Sequence, residues 1–223
     1  MRAFQFSWFG FFMAFFIWFA AAPLLGVIQS PSQLNLTKQQ IWSSSIASVG
    51  STILLRFVNG PTCDKYGARI TFAAVLCIAS IPAACLGLAN SAATLIIVRF
   101  FIGIAGSCFV MCQYWSTTMF SKEVVGTANA LTGGWGNLGG GVTQLVMGSA
   151  LYPLFKNQFC GGWGDGTEAD RESCAWRTVS IVPATITFIV GICLYKLSDD
   201  GPNGNYSKLK KTGKMQVSER SER

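Results

Sequence analysis

Residues 126–147 read GTANALTGGWGNLGGGVTQLVM and carry no charged side chain over 22 positions. As a helix, such a stretch is long enough to cross a hydrocarbon core of about 30 Å. It holds seven of the chain's 24 glycines. In water that makes a poor helix, because each interior glycine costs about 1 kcal/mol relative to alanine. In lipid, helices associate through close backbone packing, and small residues allow it. Gly133, Gly136 and Gly140 fall along one stripe, and Gly136 and Gly140 form a G-x-x-x-G pair. Asn129, Asn137, Thr143 and Gln144 add uncharged hydrogen-bonding groups, with Asn137 and Gln144 seven apart and so on one face. Two readings stay open: a tightly packed membrane helix with polar glue, or one that also lines a polar path.

The rest of the chain fits that setting. It has 223 residues, 51% hydrophobic and 12% charged, with a mean hydropathy of +0.41. Soluble domains carry about 25% charged residues, so these values describe an all-α polytopic membrane protein. The net charge of +7 does not indicate nucleic acid, because Lys208, Lys210, Lys211 and Lys214 gather in the terminal segment. Histidine is absent, which removes the commonest metal ligand and the usual general base. With no paired carboxylates in a span, no G-x-S-x-G and no P-loop, neither an enzyme nor a cofactor is expected. Of the eight cysteines, Cys77, Cys85, Cys108, Cys112 and Cys193 lie in apolar spans and read as small buried hydrophobes. Cys63 lies by a short loop, and no C-x-x-C suggests a metal site.

Six membrane spans are expected, at about 3–29, 39–60, 70–89, 92–119, 124–151 and 175–197, in a single unit covering 1–197. The first is rich in phenylalanine and tryptophan and too long for a signal-peptide core. Thr37 can cap the second, with Gln40 three residues on. A tight turn follows over Gly60–Arg69, where Pro61 and Gly67 break the helix and Asp64 is free to pair with Lys65 or Arg69. Pro82 should kink the third span. Residues 152–177 form a polar loop made acidic by Asp165, Glu168, Asp170 and Glu172. Residues 198–223 are basic and hydrophilic, a disordered tail or the start of a connecting loop. Arg2, Lys65, Arg69, Lys122, Lys196 and the tail fall on one side, which the positive-inside rule makes cytoplasmic, together with both termini.

Several stretches carry a family resemblance. AGSCFVMCQYWSTTMF followed by GGWGNLGGGVTQ resembles the signature region of the nitrate/nitrite porters, within the major facilitator superfamily. GPTCDKYGAR resembles the superfamily loop motif G-x-x-x-D-x-x-G-x-R, with Gly60, Asp64, Gly67 and Arg69 in register. RFFIGIAG resembles its R-x-x-x-G motif, through Arg99 and Gly103. DDGPNGNYSKLKKTGKM is similar to the start of the central loop of eukaryotic nitrate porters of the high-affinity type. The resemblance implies one half of a twelve-helix fold, with substrate held between two halves. It makes the glycine-rich helix the fifth segment, beside the anion path, and places a substrate-binding arginine on the second. Nitrate or nitrite is the implied substrate, with protons as coupling ion in eukaryotic relatives and the plasma membrane as location. The second half is not in this sequence, so a fragment is expected, or a half that pairs with a partner chain.

The residues themselves support an anion. Arg56 and Arg99 lie in apolar spans that contain no acidic residue. A charge in the membrane costs several kcal/mol and marks function by default. With no carboxylate inside, an external anion is a natural partner, and the planar guanidinium fork can hold two oxygens at once. Geometry does not exclude chloride, formate or other carboxylates. Arg56 is the expected substrate contact, against the alternative that it snorkels. Arg99 is expected to be structural or gating. Gln113, Tyr114, Gly136, Asn137 and Gly140 are expected beside the path, with Trp115 lining it or anchoring at the membrane interface. The alternatives are a porter for another small oxyanion, or a non-transporting accessory protein. Cys160 and Cys174 flank the loop placed outside the cytoplasm, where oxidation favours a bridge. The alternative there is two free thiols.

Overall fold

A computed structural model describes residues 2–162, 164 and 166–200. The expectations for the basic tail, including its lysines and serines, and for Asp165 lie outside these residues. Every element among the described residues is helical: α1 (Arg2–Phe19), α2 (Leu25–Gln29), α3 (Lys38–Tyr66), α4 (Ala68–Ala84), α5 (Ala92–Ile102), α6 (Cys108–Met119), α7 (Val125–Leu145), α8 (Tyr152–Leu154), α9 (Glu168–Thr178) and α10 (Ile181–Leu197). Short 3-10 turns link α1 to α2, extend α4 through Leu88 and join α5 to α6.

Among the described residues, five segments are long and apolar enough to cross a membrane: Arg2–Gln29, Lys38–Tyr66, Ala68–Leu88, Ala92–Met119 and Glu168–Leu197. The glycine-rich helix is not among them, because its glycines and amide and hydroxyl side chains dilute its apolar character. Only one face of it is buried, through Ala128, Thr132, Gly136, Gly139, Gly140 and Thr143. α1 packs most extensively on α7, α4 on α10 and α3 on α5, so that face is held against the bundle.

Local chemistry explains the helix ends. Thr37 caps α3, accepting from the Gln40 backbone N–H, while the Gln40 side chain accepts from the Thr37 backbone. Ser91 and Thr94 form the same reciprocal box at the start of α5. Gly67, with φ of 90°, separates α3 from α4 in a conformation that side chains rarely adopt.

Three boundaries differ from those expected. The helix does not stop at Gly60–Pro61 but runs on to Tyr66, which places Cys63 in a buried turn of α3 rather than by a loop. Pro61 removes one backbone bond from a 29-residue helix, and the Thr62 hydroxyl donates to Val58 O nearby (2.7 Å). Past α7 the chain stays helical through π-type turns to Phe159, and helix resumes at Glu168. Arg69 pairs with Asp200 (3.3 Å) instead of Asp64.

Candidate functional site

Arg56 projects from α3 as an exposed side chain, and its guanidinium lies 5.5 Å from the centroid of the Phe109 ring on α6. Phe109 meets Phe11 of α1 edge-on (5.7 Å), and Phe11 meets Phe15 at 4.5 Å. Gly136 of α7 completes the cluster, because a Cβ there would collide with the Phe11 ring. A chain of contacts thus runs from Arg56 of α3 through Phe109 of α6 and Phe11 of α1 to Gly136 of α7, with the rings meeting edge-on. Arg56 forms no ion pair with any described residue. A guanidinium over an aromatic face keeps its in-plane N–H donors free for an anion, while the ring stabilises its charge.

The backbone approaches that fix this geometry are close. Gly139 lies against the backbone carbonyl of Phe12, and Gly140 against the Phe19 ring. The Thr143 hydroxyl lies within hydrogen-bonding reach of Phe16 O (3.0 Å) and Gly139 O (2.7 Å). The α7 stripe facing α1 is therefore Gly136, Gly139, Gly140 and Thr143. Gly133, expected on that stripe, turns to Gln113 of α6. Gly103 abuts the Ser48 carbonyl, and a Cβ at Gly106 would meet the Thr52 hydroxyl and Trp18, so α3 sits directly on the α5–α6 junction.

Other expected residues are placed differently. Asn137 is exposed and donates to its own helix at Gly133 O (2.9 Å), so it takes no part in the contact with α1. Gln113 donates to Asn129 O (3.4 Å) between α6 and α7. Tyr114 is half-buried against the main core. Trp115 is fully buried and donates to Asp200 O (2.8 Å), which excludes the interface-anchor role. Gly60 makes no close approach, and Arg69 binds the end of α10 through Tyr195 O (2.7 Å) and Asp200. Arg99 is buried and donates to Ser44 and Ser45 (3.0 Å each). Sequence reasoning missed Phe109, Phe11 and Gly139. Phe109 lay within the signature stretch, but only the fold brings its ring under Arg56.

At the opposite end of the bundle from Gly67, Cys160 and Cys174 are bonded, with Cα atoms 5.8 Å apart. Lys156 bridges Glu168 and Glu172 beside them. Those bonds hold the Lys156 ammonium above the usual lysine range and the Glu168 carboxyl below the usual carboxylate range.

Long apolar helices and a glycine-mediated helix contact describe an integral, multi-pass membrane protein. The comparisons with known proteins agree with this class. The Major Facilitator Superfamily profile matches residues 7–219, and the chain belongs to that family. It is 38% identical over 217 residues to high affinity nitrate transporter 2.5 of Arabidopsis thaliana, covering 97% of this chain and 40% of that protein. Against high-affinity nitrate transporter 2.3 of Oryza sativa subsp. japonica it is 36% identical over 218 residues, covering 96% and 39%. The nitrate/nitrite transporter NrtP of Nostoc punctiforme is 31% identical over 212 residues, covering 95% and 40%. The chain thus spans about two fifths of the length of these relatives.

Proposed function

We propose that this chain forms one six-helix half of a nitrate porter and that Arg56, stacked on Phe109, contacts the anion. The observation that carries the reading is the Arg56–Phe109 pair at the meeting of α1, α3, α6 and α7, with no described carboxylate paired to the guanidinium. The relatives' names supply the substrate, nitrate and in some cases nitrite. A small planar oxyanion suits both the guanidinium fork and the aromatic face.

In this reading the six spans are those at about 3–29, 39–60, 70–89, 92–119, 124–151 and 175–197, with α9 outside the membrane up to Cys174. Both termini are cytoplasmic, in the plasma membrane. Alternating access occurs against a second six-helix half, with protons as the coupling ion. Gly136 makes room for the Phe11 ring, and so for the aromatic wall behind Arg56. Asn137, Gly140, Gln113 and Tyr114 are secondary contacts at most, as their placement offers Arg56 no direct support.

Nitrate uptake in a transport-deficient host tests this, using the chain joined to its second half and immunoblotting for membrane delivery. Arg56→Ala is expected to abolish uptake while the protein still reaches the membrane. Ordinary uptake by that variant overturns the assignment.

A further inference from the structure

We propose that Arg99, with Ser44 and Ser45, forms a second station for a planar oxyanion, separate from Arg56 and nearer the disulfide-bearing end of the bundle. This rests on reading the chain as an anion porter. Arg99 sits on α5, two turns from the Ser91 cap, and is only 8% exposed. Both hydrogens of its Nη1 are used, one on Ser44 Oγ and one on Ser45 Oγ. The two serine hydroxyls in turn donate to Ile41 O (2.7 and 3.2 Å), which orients their lone pairs toward the arginine. Hydroxyls orient a guanidinium but do not neutralise it, and no described carboxylate pairs with Arg99.

The free part of the group matters most. Among the described residues, Nε and Nη2 carry no hydrogen bond. These are the parallel donors that hold two oxygens of a planar anion at once. A buried cation pinned by one nitrogen, with its bidentate edge unused, is arranged to receive such an anion.

A second observation points along the same path. The buried face of α3 carries hydroxyls at Ser44, Ser48, Ser51 and Thr52, leading from Arg99 toward Arg56. Trp18 donates to Ser48 Oγ (2.8 Å) and Thr52 donates to Gly103 O (2.7 Å). Ser51 Oγ is wholly buried with no partner, an unusual state for a buried hydroxyl. Ser45 and Arg56 are eleven residues apart on one helix, about 16 Å at about 1.5 Å per residue. Two guanidiniums at that spacing, joined by hydroxyls, give an anion successive holding points instead of one deep trap.

Equilibrium dialysis of the purified chain, joined to its second half as in the uptake assay, against 15N-nitrate, with bound anion measured by mass spectrometry, tests the proposal. The wild type is expected to bind two equivalents. Arg99→Gln keeps a hydrogen-bonding side chain but no charge, and should bind one. Arg56→Gln should also bind one, and the double variant none. Arg99→Lys keeps the charge without the bidentate edge and should weaken one site about tenfold. Wild-type stoichiometry and affinity in Arg99→Gln overturn this second station and leave the Arg56 reading intact. Loss of an equivalent in Arg99→Gln but not in Arg56→Gln removes the Arg56 reading and leaves this one standing. Should Arg99→Gln fail to fold, as judged by gel filtration and melting, Arg99→Lys decides: unchanged binding there overturns the proposal.

Discussion

Arg56 differs from Arg69 and Arg177 in what holds it. Arg69 is committed to Asp200 and Tyr195 O, and Arg177 to Gly87 O (2.6 Å) and Asn90 (2.9 Å). Among the described residues, Arg56 has only the Phe109 ring. A lysine at this position retains the charge but loses the two-pronged contact. Charge-assisted hydrogen bonds are worth about 1.5–3 kcal/mol, so Arg56→Lys should raise KM about 10- to 100-fold in nitrate uptake with modest change in kcat. Phe109→Leu keeps bulk but removes the aromatic face. At about 0.5–1 kcal/mol for an exposed cation–π contact, it should raise KM only a few-fold. A larger loss in Phe109→Leu than in Arg56→Lys would show that the ring, not the fork, governs binding.

At the scale of the element, the α1–α7 contact sets how far apart the helices stand. Gly139 faces a backbone carbonyl, which cannot rotate away as a ring can. Gly139→Ala should therefore destabilise the protein by about 1–3 kcal/mol through overpacking, read as a lower melting temperature in detergent. Gly141 has open space around it. There the same substitution should be neutral, or stabilising by up to about 1 kcal/mol through helix propensity. This pair of results would locate the contact on the Gly139 face. The small-residue character of this helix was legible in the sequence, and so was the pairing of Gly136 with Gly140. The phase was less so: in a G-G-G run several stripes satisfy the same spacing, and only the position of α1 selects Gly139 over Gly133. Asn137 misled for a related reason. An amide in an apolar helix suggests a partner across an interface, yet its donor is satisfied one turn back at Gly133 O. The α3 end at Pro61 was also misjudged, because local propensity weighs a lost backbone bond but not the long helix and the Thr62 hydroxyl around it. Phe109 beneath Arg56 joins residues 53 positions apart and could come only from the fold.

At the scale of the whole molecule, one end of the bundle is tied together by contacts distant in sequence. Gln33 donates to Ala169 O (2.8 Å) and accepts from Trp176 (2.9 Å), while Arg177 grips the turn before α5. Lys156 holds Glu168 and Glu172 against the end of the helix that continues α7. Because the folded Glu168 carboxyl lies below its ordinary range, its contribution is present at neutral pH and fades as pH falls through that lowered value. Lys156, raised by the same bonds, stays charged until well above the ordinary lysine range. Limited proteolysis of the outer segment should thus be unchanged from about pH 6 to 9 and increase in strong acid.

The disulfide is the covalent member of this assembly. Cys160 and Cys174 are 14 residues apart, and closing a loop of that size is worth about 3 kcal/mol in the chain-entropy model. Both sulfurs pack with Ala175 beneath Tyr152 and Phe155, so reduction would release a segment that otherwise stays bound through Lys156 and Gln33. Reduction should therefore loosen this end before the bundle itself melts. In the proposed topology, with both termini cytoplasmic, the bridge faces the oxidising side, where such bonds persist. A membrane-impermeant maleimide applied to intact cells should label neither cysteine until reductant is added, and both afterwards. Cys160→Ser should leave Cys174 labelled without reductant and lower the melting temperature of the purified protein, while leaving nitrate affinity at Arg56 unchanged because the two sites share no contact. Labelling of both cysteines before reduction would show that the bridge does not form in cells. Absence of labelling after reduction, with labelling restored on permeabilisation, would place this end in the cytoplasm and invert the topology.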